Sequence, residues 1–521
     1  MSNFGSVPES APDTPADLQH RASAAAGTGR KKEAMRMSRH WLPLGLALGL
    51  LLAACGGGTT STEAPDSTDD TDSSASEEEE PAASGDVTRI RWFVGLGAGS
   101  DVDVIPAQEE IVERFNASQD EIELVLEIVD NDAAFGVLNT QLAAGDAPDI
   151  VGPVGIRGRD GFPGAWLDLE PLVESSGYDL SVFDPELVAF YEVEGEGLLG
   201  LPFGVFPQFM FYNLDLFDEA GLNYPPDAYG EPYVLPDGTE VDWDVDTLRD
   251  LAKLLTVDGS GNDATSPDLD RNDIVQFGFG NQWTDMRGLA TLFGPGALVD
   301  DEGNATMPDH WREAMSWYQE LAWEDGTYPF ADYGGADFLD GGNWFNSGNM
   351  AMSAVHLWYA TCCTGALEDA WNLAPMPSAL GQTTAKLHAD TFAITRATDH
   401  PDEAFTVLQY LIGEAASDLL KVYGGMPART DLQGSFFDEL DEGQFAGMGL
   451  NWDVVQESLA YNDNPNHEAG LPNSQESQDC YNRVTNRLFV DPDYDVDAAL
   501  TQLVSDLQNI YQGTGACTLV E

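Results

Sequence analysis

Residues 211–222 read FYNLDLFDEAGL, and this stretch joins a strand directly to a short helix. Its first residues are aromatic, as is typical of a buried strand, and residues 214–220 follow as a helix. Upstream, residues 87–94 and 122–129 alternate as strands on either side of residues 105–116, which carry one apolar helical face. Strands that alternate with helices imply parallel pairing. The sequence therefore predicts an α/β fold built on mostly parallel sheets.

The same alternation continues along a chain whose 521 residues allow two to four domains. The sequence contains no internal repeat. The further predicted helices are residues 135–144, 246–255, 309–323, 401–412, 414–423 and 495–511, and the further strands are residues 149–151, 209–212, 274–279 and 351–355.

The chain is strongly acidic. It has 22 Lys and Arg residues against 90 Asp and Glu residues, which gives a formal net charge of -68. Beyond the N-terminal region, the only lysines are Lys253, Lys386 and Lys421. Such a field repels nucleic acid and anionic membrane surfaces. We interpret the charge as adaptation of the surface to a salty habitat, and we exclude nucleic acid as a partner.

The N-terminal region predicts export. Residues 41–54 read WLPLGLALGLLLAA, an apolar run that is too short to span a bilayer and that follows Arg36 and Arg39. The run ends at Cys55, and the sequence LAAC resembles the bacterial lipobox. That resemblance implies lipidation of Cys55 and a lipoprotein signal peptide, which together with an N-terminal extension makes up residues 1–54. Residues 55–86 predict a disordered acidic tether, so that lipid is the anchor at the outer face of the membrane or in the periplasm.

Four further cysteines, Cys362, Cys363, Cys480 and Cys517, fit an exported protein. Four cysteines allow three connectivities, and free buried thiols are a further alternative. A Cys480–Cys517 bond would attach the C-terminal tail to a preceding helix. Cys362–Cys363 would then form a vicinal bridge.

Seven segments in order carry a resemblance to one family. They are residues 142–150 (LAAGDAPDI), 166–172 (WLDLEPL), 200–203 (GLPF), 211–222, 345–358 (FNSGNMAMSAVHLW), 374–377 (APMP) and 425–429 (GMPAR). This series resembles family 1 of the extracellular solute-binding proteins, the lipoproteins that serve carbohydrate ABC importers and that include maltose-binding protein. Residues 435–521 match only by position and helical character.

The resemblance implies a two-lobed periplasmic-binding-protein fold with a ligand cleft between the lobes. One lobe would hold residues 87–209 and 375–430, and the other would hold residues 210–374 and 431–521. The resemblance also implies a monomer without a cofactor, which binds a sugar or oligosaccharide and delivers it to the permease subunits of an ABC importer. It implies a binding protein, not an enzyme.

Sugar capture selects the candidate binding residues, because pyranose rings stack on aromatic side chains and sugar hydroxyls pair with charged and amide groups. Trp358 matches the family's cleft tryptophan, and Trp283 follows a strand where the family places an aromatic residue. The further candidates are Tyr359, Trp344, Phe206, Asp101, Asp103, Arg157, His388, Asp390 and Arg429.

Two alternative functions and one candidate metal site accompany this prediction. Residues 153–157 read PVGIR where the maltose-binding pattern has Trp and Asp, which argues against maltose-type ligands. The acidity also fits a cation such as a polyamine. An extracellular glycosidase would need two carboxylates at a defined separation, and no segment resembles a hydrolase signature. A weaker candidate is a calcium site, since Asp258, Ser260, Asn262 and Asp268 offer oxygen atoms near one turn.

Overall fold

The computed structural model describes residues 87–97, 99–102, 104–193 and 195–520. The predicted signal peptide, the tether, Cys55 and Asp103 lie outside the described residues, as does the side chain of Arg157. In the part of the chain that is described, no helix combines the length and apolar character needed to cross a membrane.

Sixteen α-helices occur in the described residues. They are α1 (Ile105–Ser118), α2 (Asn131–Ala144), α3 (Ile156–Asp160), α4 (Glu170–Ser176), α5 (Pro185–Ala189), α6 (Leu214–Ala220), α7 (Val245–Leu255), α8 (Met286–Ala290), α9 (Asp309–Gln319), α10 (Trp358–Cys362), α11 (Pro401–Ile412), α12 (Ala416–Tyr423), α13 (Thr430–Glu442), α14 (Trp452–Glu457), α15 (Ser474–Leu488) and α16 (Val496–Tyr511).

The strands fall into one large mixed sheet and three two-stranded ribbons. They are β1 (Thr88–Val94), β2 (Ile122–Ile128), β3 (Ile150–Gly155), β4 (Glu192–Val193), β5 (Gly197–Leu198), β6 (Leu201–Asn213), β7 (Tyr233–Val234), β8 (Glu240–Val241), β9 (Val257–Asp258), β10 (Ile274–Gly280), β11 (Met350–His356), β12 (Trp371–Ala374), β13 (Ser378–Ala379), β14 (Gln382–Thr383), β15 (Leu387–Ile394) and β16 (Met426–Pro427).

The large sheet runs in the order β2-β1-β3-β15-β6-β11-β10-β9, and β12 and β16 also pair with β6. Parallel pairing occurs towards the two ends of this path, where β1 lies between β2 and β3 and where β10 pairs with β11. The strands around β6 are antiparallel to it. The sheet therefore contains parallel pairs where strands alternate with helices, and antiparallel pairs around β6 and between β10 and the edge strand β9.

β6 changes its partner strands near its middle. Phe206 and Pro207 pair with β15, whereas Gln208 and the residues after it pair with β11. Both faces of β6 are buried, since Phe209 belongs to one apolar cluster and Met210 to the other. β6 is thus the strand that both halves of the sheet share.

Several predicted elements differ in extent from those observed. β6 begins at Leu201, whereas the predicted strand began at residue 209. The prediction began late because Pro202 and Pro207 weaken the strand pattern in the sequence. α2 begins at Asn131 and not at residue 135, because Asp130 accepts a hydrogen bond from the Asp132 amide and caps the helix. The helix predicted over residues 309–323 ends as α9 at Gln319 and continues as a π-helical turn over Glu320–Asp325.

Candidate functional site

A cavity of about 1600 Å³ opens between segments from distant parts of the chain. Its wall comes from the loop after β1, the turn and helix after β3, α10, the start of β15, the end of α12 and the segment from Glu468 to Gln478. This volume exceeds the usual few hundred to about 1000 Å³ of a small-molecule site. The cavity therefore has room for a solute of several rings.

Two tryptophans stack on each other beside this cavity, and Trp283 is not part of its wall. Trp358 lines the wall at the start of α10, and the preceding Leu357 amide donates a hydrogen bond to the Pro207 carbonyl, which ties this turn to β6. The Trp283 ring stacks on Trp358 with ring centroids 5.6 Å apart and planes inclined by 14°. Trp283 is 48% exposed and has a φ of 53°, a left-handed conformation that is costly for a side chain of this size.

Tyr359 and Trp344 were candidates for sugar stacking, and neither lines the cavity. Tyr359 is fully buried beneath Trp283, and its hydroxyl donates to Asn343 Oδ1 at 2.6 Å. The indole N–H of Trp344 donates to the Gly334 carbonyl at 2.7 Å. Both side chains therefore pack inside the protein and are not part of the cavity wall.

Three further candidates, Phe206, Asp101 and His388, line the cavity, and their contact with a solute stays a prediction. Phe206 is nearly buried, whereas Asp101 is exposed in the loop after β1. The side chain of His388 is 28% exposed and projects from the start of β15, where it pairs with Phe206 in the register of the sheet.

Two carboxyl groups face each other across Gly155. An ideal Cβ on Gly155 would lie 3.3 Å from Asp390 Oδ1 and 3.6 Å from Glu468 Oε2, so the glycine leaves room for both acids. Burial and the charge of Glu468 together raise the pKa of Asp390 to about 7. The Asp390 side chain can therefore both donate and accept hydrogen bonds near neutral pH.

Tyr423 lines the same wall, and sequence reasoning missed it. Its hydroxyl is buried and has no hydrogen-bond partner within the described residues. Burial and the charge of Asp390 raise the pKa of Tyr423, so the hydroxyl keeps its proton. A bound solute that offers an acceptor would satisfy this donor.

Arg429 does not reach the cavity. Its guanidinium forms a pair of hydrogen bonds with the Asp431 carboxylate, at 2.9 and 3.1 Å, and this contact lowers the pKa of Asp431. The Arg429 side chain is therefore held by an acid in the first turn of α13. The backbone of Arg157 lies in α3 beside the cavity, and its side chain is outside the described residues.

Histidines that the sequence did not single out lie next to His388. His356 ends β11, and its Nδ1 lies 2.7 Å from the Phe206 carbonyl oxygen. His467 is buried with its Nδ1 2.8 Å from Asp463 Oδ2. Burial, with the nearby His388, lowers the pKa of His356, so its ring is neutral at pH 7. Only tertiary structure brings these rings together, and the one signal in sequence was the position of His356 two residues before Trp358.

The cysteines form two bonds in the structure, Cys362–Cys363 and Cys480–Cys517. The vicinal pair lines the cavity at the end of α10. Cys480 lies in α15, so the second bond ties the C-terminal tail to that helix.

The loop proposed for calcium is held by its own hydrogen bonds. The Asp258 carboxylate accepts bonds from the amides of Ser260, Asn262 and Asp270 and from the Asn262 side chain. These bonds lower the pKa of Asp258 to about 2. Both Asp258 oxygens thus serve the turn, and the calcium site stays a prediction.

Comparison with solved structures gives the fold. An ABC substrate-binding protein from Listeria monocytogenes in complex with cycloalternan aligns with a TM-score of 0.61 at 20% identity, over 82% of this chain and 100% of that chain. A solute-binding protein from Thermotoga lettingae bound with α-D-tagatose gives 0.58 at 16%, over 81% and 100%. The maltose/maltodextrin-binding domain of Bdellovibrio bacteriovorus bound to maltotriose gives 0.57 at 16%, over 82% and 99%. The predicted two-lobed α/β fold is confirmed, whereas the residue bounds of the lobes stay a prediction.

Comparison of sequences gives the family. No curated protein matches the chain. The family model described as "Bacterial extracellular solute-binding protein" matches residues 110–439, which is more than half of the chain and includes both Trp358 and His388. The chain belongs to the bacterial extracellular solute-binding proteins, a family of non-catalytic transport components.

Proposed function

We propose that this protein binds a sugar or oligosaccharide outside the cytoplasm and delivers it to the permease of an ABC importer. The observation that supports this is the cavity, in which Trp358 offers a flat apolar face beside hydroxyl-binding groups such as Tyr423 and Asp390. Sugars present apolar C–H faces and polar hydroxyls, and this wall offers a partner for each. Solved relatives in complex with cycloalternan, tagatose and maltotriose support the same class of solute.

One observation favours a second candidate solute, a polyamine or other organic cation. The cavity wall contains the carboxylates of Asp101, Asp160, Asp390, Glu468 and Glu476, whereas Lys421 is its one lysine. Carboxylates that outnumber cations lower the energy of a bound cation. The glycosidase alternative falls, because the family is non-catalytic.

The deciding experiment is a thermal-shift screen of the purified full chain against monosaccharides, disaccharides, oligosaccharides and polyamines. A solute at a hundred times its Kd stabilises the folded state by about 2.7 kcal/mol, which raises the Tm visibly. A sugar that raises the Tm and is recovered unchanged supports the proposal. A response to polyamines alone would replace the sugar with the second candidate.

We also propose that the protein is anchored by lipid at Cys55. The support is the sequence LAAC at the end of an apolar signal segment. Cells that express the full chain and are fed an alkyne-labelled fatty acid should incorporate label into the protein. The Cys55→Ser variant should remain unlabelled, and equal labelling of both proteins would refute the anchor.

A further inference from the structure

Three histidines meet where β6 exchanges its partner strands. His356 ends β11, His388 lies at the start of β15, and His467 belongs to the segment before α15. Nε2 of His388 lies 3.1 Å from Nε2 of His467. One ring nitrogen from each of the three residues lies within 4.8 Å of the others. Three segments that are far apart in sequence thus bring three imidazoles to one point.

Outward hydrogen bonds fix the tautomers of the two buried rings. The Phe206 carbonyl can only accept, so His356 Nδ1 donates to it. The Asp463 carboxylate accepts from His467 Nδ1 and also from the amides of His467 and Leu387, which holds this acid in place. A neutral imidazole that donates through Nδ1 carries a lone pair on Nε2. Both Nε2 atoms therefore offer lone pairs.

The lone pair of His356 lacks a protein partner. His356 is only 2% exposed, so its Nε2 is buried. This atom makes no hydrogen bond with any residue that the structure describes. A buried polar atom left without a partner is costly. One ring nitrogen of His356 lies within 4.8 Å of a ring nitrogen of each of the other two imidazoles. A cation at this point would satisfy it.

The charge around the three rings also suits a cation. Glu468 Oε1 lies 4.0 Å from His388 Nε2, and Asp463 is fully buried against His467. Among the described residues, the ammonium group that acts on His356 is that of Lys386, which also contacts Thr284. Two carboxylates thus outnumber the one ammonium group named here beside the three rings.

We propose that His356, His388 and His467 bind one divalent transition-metal ion of the zinc class at the cavity wall. Zinc binds imidazole nitrogen at 2.0–2.1 Å, so two ligands on a tetrahedral ion lie about 3.3 Å apart, close to the observed pair. Rings that hold zinc donate their other N–H to a carboxylate or a carbonyl, as Asp463 and Phe206 accept here. Imidazole favours zinc, copper or nickel, whereas calcium and magnesium favour oxygen.

The metal would change one tautomer and join three segments. Without metal, His388 Nε2 donates its proton to the lone pair of His467 Nε2, since the other nitrogen of His467 already donates. Metal binding needs that nitrogen of His388 as a lone pair, so the proton moves to Nδ1 and none is released. Glu468 can supply the fourth ligand from the cavity side. The ion would then hold β11, β15 and the segment before α15 together at the edge of the solute site.

The test is a zinc titration of the full chain after removal of metal by a chelator. Millimolar Mg²⁺ is present throughout to occupy surface carboxylates, and no solute is added, so the result is independent of the sugar proposal. We expect one equivalent of Zn²⁺ to bind. His388→Gln should lower the affinity at least about tenfold, the loss that even outer contacts of such sites produce. The control His400→Gln changes an exposed histidine whose side chain does not cap α11, and it should bind zinc like the wild type.

Cobalt binding to the wild-type chain tests the proposal independently. One equivalent of Co²⁺ bound by three imidazoles should produce the visible absorption of a four-coordinate complex, and Zn²⁺ should remove it. Equal zinc affinity in the wild type and His388→Gln would overturn the proposal. If His388→Gln does not fold, the cobalt spectrum decides, and a wild type without that absorption would overturn the proposal equally.

Discussion

At the scale of single residues, Trp358 carries the strongest expectation for solute binding. It lines the cavity and stacks on Trp283, whose strained backbone is maintained by its surroundings. We expect Trp358→Ala to weaken sugar binding by about 1–3 kcal/mol, because the solute loses an apolar face. Isothermal titration with the sugar identified by the screen measures this. Tyr224→Ala, which removes an exposed aromatic side chain outside the cavity wall, is the control, and a wild-type affinity in Trp358→Ala would place the sugar elsewhere.

The residue scale also shows what sequence can reveal of a site. Trp358 was predicted from a family motif and Phe206, Asp101, His388 and Asp390 from the chemistry of sugar binding, and the structure brings all five to one cavity. Tyr423 and Glu468 were missed, because a tyrosine in a helix and an acid in a very acidic chain give no local signal. The direction of a side chain depends on packing, and for that reason Tyr359, Trp344 and Arg429 could not be separated from true wall residues.

At the scale of elements, polar residues that belong to the candidate site also made secondary structure harder to predict from the sequence. β15 contains His388 and Asp390, whose polar side chains interrupt the apolar pattern of a buried strand, and no strand was predicted there. By contrast, α6 and α11 were predicted with their observed bounds, since their apolar spacing is uninterrupted. Local periodicity thus predicts the elements of the core more reliably than it predicts the elements that carry site residues.

The bond between Cys480 and Cys517 should stabilise the C-terminal helices. It closes a loop across a sequence separation of 37 residues, so loop entropy predicts a contribution of about 3–4 kcal/mol to the free energy of unfolding. We expect the variant with Cys480→Ser and Cys517→Ser to unfold at a lower urea concentration. The variant with Cys362→Ser and Cys363→Ser is the matched control, because that bond joins adjacent residues and closes no such loop. Equal midpoints for the two variants would contradict the prediction.

The contact between β10 and α7 depends on a glycine. An ideal Cβ on Gly278 would lie 2.1 Å from the Ala252 carbonyl oxygen, a backbone atom that cannot rotate away. We expect Gly278→Ala to destabilise the protein by about 2 kcal/mol or more in urea denaturation, because the helix must shift. Gly136→Ala in α2 is the control, since nothing lies within 4 Å of its added Cβ and alanine favours helix. A Gly278→Ala variant as stable as the wild type would show that the helix moves freely.

At the scale of the whole molecule, the net charge of -68 should make stability depend on salt. Carboxylates on a compact surface repel one another, and added ions shorten the range of that repulsion. We expect the Tm to rise by several degrees between low and molar NaCl. KCl should act like NaCl if screening is the cause, and a Tm that falls or stays constant would mean that the surface charges do not limit stability.

The exchange of partners along β6 has a mechanical consequence. Pro207 stands at the changeover, where it accepts the Leu357 amide but has no amide hydrogen of its own to lose. A rotation of the backbone at this point would strain no ladder hydrogen bond donated by residue 207, because proline has no amide hydrogen to donate. The change of partner strands at Pro207 thus gives a continuous, fully buried β-strand a place where it can act as a pivot.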